Sequence, residues 1–97
     1  MKIRDIAKQY KEYIVDLRRE FHMHPEISWQ EVRTSGRIKE ELAKLGVPYK
    51  EIAKTGVMAA IKGKYEGKTI ALRADMDALQ VKEQNKVPYC SKNVGVM

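Results

Sequence analysis

With 97 residues, 43% of them hydrophobic and 33% charged, the chain is at most one small folded domain, neither a multidomain assembly nor a disordered tail. No run approaches the roughly 18 consecutive apolar residues of a membrane span, and Met1-Lys2-Ile3-Arg4-Asp5 turns polar at once, so neither a transmembrane helix nor a secretory leader is expected. The formal charge of +6 comes from bases interleaved with acids, as in Arg37-Ile38-Lys39-Glu40-Glu41, which describes a solvated surface rather than a nucleic-acid-binding ribbon.

The first predicted element covers residues 2–22. Ile3, Ile6, Ala7, Tyr10, Tyr13, Ile14, Leu17 and Phe21 recur at intervals of three and four and form one apolar stripe on a long helix, expected to face the core. Pro25 ends it, because the residue before a proline is pushed out of helical geometry. A second helix is expected from Ser28, where Ser28-Trp29-Gln30-Glu31 fits a capping box and Ile27 and Val32 fit a hydrophobic staple. Val32, Ile38, Leu42 and Leu45 are its expected buried face, with Trp29 a packing anchor at the first turn. Gly36 weakens its middle by about 1 kcal/mol relative to alanine. Gly46 and Pro48 supply the stop.

Strand-like runs follow. Tyr49 to Ile52 is the first, Thr55-Gly56 a turn, and Val57 to Lys62 the second. Gly63-Lys64-Tyr65-Glu66-Gly67 suits a hairpin loop leading into a third strand, Thr69 to Asp77. Its continuous apolar character from Ile70 to Leu72 is that of a strand covered on both faces. The expected fold class is therefore α/β: two N-terminal helices followed by the strands of a mixed sheet.

The third strand ends in two aspartates. Alternation places Arg73, Asp75 and Asp77 on one side, and open α/β sheets carry ligands at the carboxyl ends of their strands. Such a pair can bind a metal, orient a metal-ligating histidine, or serve as turn residues. His22 and His24 diverge at their i, i+2 spacing if helical, so a structural role is expected for them, with His24 bonding locally. Cys90 has no second cysteine for a disulfide and no nearby histidine to activate it; it is compatible with a reducing, cytoplasmic location.

Taken together, Leu17-Arg18-Arg19-Glu20-Phe21-His22-Met23-His24-Pro25-Glu26, Thr55-Gly56-Val57 and Ala71-Leu72-Arg73-Ala74-Asp75-Met76-Asp77-Ala78-Leu79 resemble one family. It is the metal-dependent amidohydrolases that include hippurate hydrolase, N-acyl-amino-acid amidohydrolases and auxin-conjugate hydrolases. The closing Val87-Pro88-Tyr89 to Gly95-Val96-Met97 fits as well, so the resemblance covers essentially the whole chain, in order. It implies that residues 1–97 are the N-terminal portion of a zinc-peptidase-like α/β/α catalytic domain. The cysteine-histidine motif holding the first metal ligands would follow Met97, and a lid or dimerisation domain would come later. The complete enzyme would use two divalent metal ions (zinc, manganese, cobalt or nickel) on N-acyl amino acid substrates. This chain would hold no metal or cofactor and would be inactive alone.

By the same resemblance Asp77 stands at the position of the aspartate that orients a metal-bound histidine, and Asp75 at the position of that histidine. Gln80 departs from the proline usual after this strand, and Cys90 is not the family's metal-binding cysteine. The expected partners are a C-terminal fragment or a second copy of the chain, with no nucleic acid and no membrane. The alternative reading is a small basic binding module for nucleic acid or an acidic partner, which draws on the +6 charge.

Overall fold

The structure, a computed structural model, describes residues 2–97. Three helices precede a two-stranded sheet: α1 (Ile3–Gln9), α2 (Lys11–Met23), α3 (Val32–Lys44), β1 (Tyr49–Ile52) and β2 (Gly56–Ala59). The expected single first helix is interrupted at Tyr10, whose ψ of 5° opens the α-helical turn while its amide bonds to the Ala7 carbonyl. No proline or glycine lies at this break, and nothing in the structure explains it. The second boundary falls as expected: α2 stops at Met23, and His24 sits outside the helix with its amide on the Phe21 carbonyl.

The end of α3 follows from local chemistry. Gly46 adopts φ +68°, where a side chain would be strained, while its amide reaches the Ala43 carbonyl and the Val47 amide reaches that of Leu42. These two bonds satisfy carbonyls that the helix end would leave open. The start of α3 corrects the capping-box expectation. The helix begins at Val32, and neither Ser28 nor Glu31 caps it; the Glu26 carboxylate does, accepting from the Arg33 amide at 3.1 Å and the Thr34 amide at 2.6 Å. Trp29 is likewise not a packing anchor. It is 64% exposed, and its φ of 68° turns the chain ahead of the helix.

β1 and β2 pair antiparallel, with Tyr49 opposite Ala59 and Ile52 opposite Gly56. The hairpin therefore joins the first two strands through Ala53-Lys54-Thr55, not the second and third through residues 63–67. Ala53 and Lys54 both take positive φ, at 50° and 74°, the hand that matches strand twist in tight hairpins. Gly56 is required because a Cβ there would lie 2.6 Å from the Ile52 carbonyl oxygen.

Thr69 to Asp77 forms no strand. A strand apolar on both faces needs a neighbour at each edge and a layer on each side. Among the described residues it has none of these: Ile70 is 85% and Leu72 97% exposed. The helical stripes are similarly uncovered, with Ile3, Ile14, Val32 and Leu45 all exposed. No hydrophobic side chain among the described residues is fully buried; the buried positions are Pro25, Glu31, Thr34, Ser35 and Thr55. The surface of 8731 Å² compares with about 5,700 Å² for a folded monomer of this length. The radius of gyration, 15.8 Å, exceeds the roughly 12.5 Å of a compact 97-residue domain. No helix among the described residues is long and apolar enough to cross a membrane.

Candidate functional site

The turn between α2 and α3, residues 24–31, is the frame on which the rest of the chain is hung. Pro25 is buried there and keeps His24, the residue before it, out of helical geometry. The Met23 carbonyl accepts from the Lys92 amide at 2.8 Å, that of Pro25 from the Asn93 side chain at 3.1 Å, and that of Glu26 from the Ala78 amide at 2.8 Å. Ile27 and Ala78 form a parallel bridge, and Ser28 Oγ donates to Asp77 Oδ2 at 2.6 Å. Residues 77–97 are thereby tied along a single short loop.

Glu26 shows why the frame is stable. Burial alone would raise its pKa. The Thr34 amide and hydroxyl, the Arg33 amide and the Arg33 charge together hold it below the ordinary glutamate value. Glu31, 8% exposed, accepts from the Thr55 hydroxyl at 3.4 Å and so links the hairpin to α3.

A second anchor lies one turn earlier. His22 Nε2 is 2.8 Å from Glu83 Oε2, and facing a carboxylate this nitrogen carries the proton. Glu83 also accepts from the Ser91 amide at 2.5 Å and from Asn85 Nδ2 at 3.0 Å. Led by the Ser91 amide, then Asn85 and His22, these donors push its pKa down to about 2. Tyr89 packs edge-on against the His22 ring, and the Arg19 guanidinium lies 4.5 Å from the Tyr89 ring centre. His22 is thus a structural residue, and Cys90 serves the same segment, its Sγ 2.9 Å from the Asn85 carbonyl and 3.3 Å from the Val87 amide.

Beside the frame opens a cleft of about 490 Å³. Phe21, Pro25 and Ile38 form its apolar side; Arg18, Asp75 and Asp77 are polar lining residues. The structure therefore brings both sequence-predicted aspartates to one cleft, although the segment bearing them is not a strand. Asp75 pairs with Arg73 at 3.3 Å, both side chains being largely exposed, so this ion pair contributes little. Asp77 is held by Ser28. Sequence reasoning assigned Ser28 to a helix cap and gave Glu83 no role; no local pattern marks either contact.

Among the described residues no three His, Cys, Asp or Glu side chains converge on a point that could hold an ion. A dinuclear site would require ligands beyond Asp75 and Asp77.

No family model matches the chain. Individual proteins do. It is 43% identical over 98 residues to thermostable carboxypeptidase 2 of Saccharolobus solfataricus, covering 99% of this chain and 25% of that one. It is 43% identical to the N-acetylcysteine deacetylase of Bacillus subtilis, covering 93% and 24%. Among solved structures, Bacillus subtilis YxeP, a dinuclear metal-binding peptidase of the M20 family, superposes with a TM-score of 0.86 at 41% identity. That match covers 93% of this chain and 26% of that one. The chain spans about a quarter of the length of the curated relatives it matches, and the match lies in their N-terminal part.

Proposed function

The chain belongs to the amidohydrolase and peptidase family that these proteins represent, and we propose that it is the N-terminal portion of the catalytic domain of a metal-dependent amidohydrolase acting on N-acyl amino acids. The observation carrying this reading is the agreement of backbone and sequence together: a TM-score of 0.86 at 41% identity over nearly all of the chain. The names of the relatives, N-acetylcysteine deacetylase and N-acyl-L-amino acid amidohydrolase among them, supply the substrate class.

In this reading Asp75 occupies the place of the histidine that Asp77 would orient. Asp77 orients instead a metal-ligating histidine of the cysteine-histidine motif that the resemblance places after Met97, and Asp75 supports the same wall of the cleft. The ions in this reading are two divalent cations of the zinc, manganese, cobalt or nickel type, held by the cysteine-histidine motif and later donors that the family resemblance places after Met97. The isolated chain is then inactive, and its partner is the polypeptide that completes the domain. The uncovered stripes of α1 and α3 and the bare run from Ile70 to Leu72 support this: they are surfaces made for burial. The basic-module alternative is not favoured, since Arg33 and Arg37 are paired with Glu20, and Lys39 with Glu51. The lone Cys90 accords with a cytoplasmic site of action.

The test is complementation. The chain is mixed with a separately produced polypeptide supplying the remaining three quarters of the Geobacillus stearothermophilus N-acyl-L-amino acid amidohydrolase, with manganese or zinc added. Hydrolysis of N-acetyl amino acids by the pair and by neither part alone is expected. Turnover by the chain alone would contradict the placement of the metal ligands, and a pair that neither associates nor hydrolyses would contradict the reading as a whole.

A further inference from the structure

Ser28 is free to do something other than cap a helix, because Glu26 already occupies the amides of Arg33 and Thr34 at the start of α3. Its hydroxyl lies 2.6 Å from Asp77 Oδ2, in the range of a charge-assisted O–H···O⁻ bond. The backbones on either side are already fixed to one another by the bridge between Ile27 and Ala78 and by the Ala78 amide on the Glu26 carbonyl at 2.8 Å. The hydroxyl–carboxylate contact is therefore one more rung of a short ladder. Immediately after Ser28 the chain takes a left-handed turn at Trp29, φ 68°, a conformation that a bulky aromatic residue rarely adopts. Residues held in such a region are maintained by their surroundings, and they cluster where geometry serves function. Asp77 Oδ1 makes no hydrogen bond among the described residues, and the side chain lines the cleft.

We propose that Ser28 is a positioning residue for Asp77. By donating to Oδ2 it fixes the plane of the carboxylate and leaves Oδ1 as the acceptor for the imidazole N–H that Asp77 orients. This assignment rests on the reading of Asp77 given above and adds to it a residue that acts only through Asp77.

The experiment uses the complemented pair, with the chain carrying carboxyl-¹³C aspartate and the partner unlabelled, and compares wild type, Ser28→Ala, Ser28→Thr and Asp77→Asn. In Ser28→Ala the Asp77 carboxylate signal, identified by its loss in Asp77→Asn, is expected to shift while those of Asp5 and Asp16 stay in place. Turnover should fall by about 10-fold or more, the scale of outer-sphere substitutions at metal sites, with KM little changed. Ser28→Thr, which keeps the hydroxyl, should restore both. An unmoved Asp77 signal would show that the contact is not made. A shifted signal with undiminished kcat would show that the contact does not serve catalysis; either result overturns the proposal and leaves the family reading intact. Failure of the wild-type pair to hydrolyse would remove the functional reading, and the role of Ser28 with it.

Discussion

Glu83 ties together three separate stretches, accepting from His22 on α2, from Asn85, and from the Ser91 amide. Its folded-state pKa of about 2 lies below its ordinary value of 4.5, so the sign of the pH effect is fixed. A depressed carboxylate contributes stability that is fully present above the unfolded value and is lost as pH falls through the folded one. The segment 83–91 should therefore loosen between pH 4.5 and about 2, later on acidification than an ordinary glutamate would allow. Side-chain NMR of Glu83 should show this low midpoint, and Glu83→Gln should abolish the titration and raise exchange at the Ser91 amide. A Glu83 midpoint near 4.5 would mean that the three donors do not act together. Neither this contact nor that of Ser28 was legible in the sequence. They join residues 61 and 49 positions apart, and no local pattern encodes a partner at that distance. By contrast, closeness in sequence alone brings Asp75 and Asp77 to one cleft; the alternation expected of a strand does not hold there, since Ala74 and Met76 line the cleft with them and Arg73 does not.

At the level of elements, what could be read depended on whether the controlling interaction was local. The end of α3 followed from Gly46 and the strand Tyr49–Ile52 from its β-branched and aromatic content, because each is set by nearby residues. The start of α3 did not, because its cap comes from Glu26, on the far side of the Trp29 turn. Two glycines test the helix and the hairpin in opposite directions. A Cβ at Gly36 would meet nothing within 4 Å, so Gly36→Ala should favour α3 by about 1 kcal/mol, read as a higher helix content of the chain by circular dichroism. At Gly56 the same methyl group meets the Ile52 backbone at 2.6 Å, and Gly56→Ala should cost about 1–3 kcal/mol. Equal effects of the two substitutions would contradict the assigned hairpin. Lys54→Gly, relieving a left-handed non-glycine residue, should recover about 1 kcal/mol.

For the molecule as a whole, the decisive quantity is area. The chain leaves about 3,000 Å² more surface exposed than a folded monomer of its length, and much of that excess carries apolar side chains. On its own it should bind hydrophobic dyes, associate with itself at micromolar concentration and unfold with little cooperativity. Addition of the complementing polypeptide should suppress all three, which size-exclusion chromatography and dye fluorescence would record. A monodisperse, dye-silent monomer would contradict the reading of these faces as buried walls. The third predicted strand belongs to this scale as well. Its apolar run is plain in the sequence, but pairing is a property of two segments, and among the described residues no segment pairs with it.

The basic excess acquires a purpose in the same stretch. Lys62, Lys64, Lys68 and Arg73 are interspersed among Ile61, Tyr65, Ile70 and Leu72, the apolar side chains that lie most open to water in this part of the chain. Positive charges set along a sticky, β-prone segment act as gatekeepers: two such segments repel before their backbones can zip together. While this stretch stands open to water, that repulsion would keep neighbouring chains from stacking into aggregates.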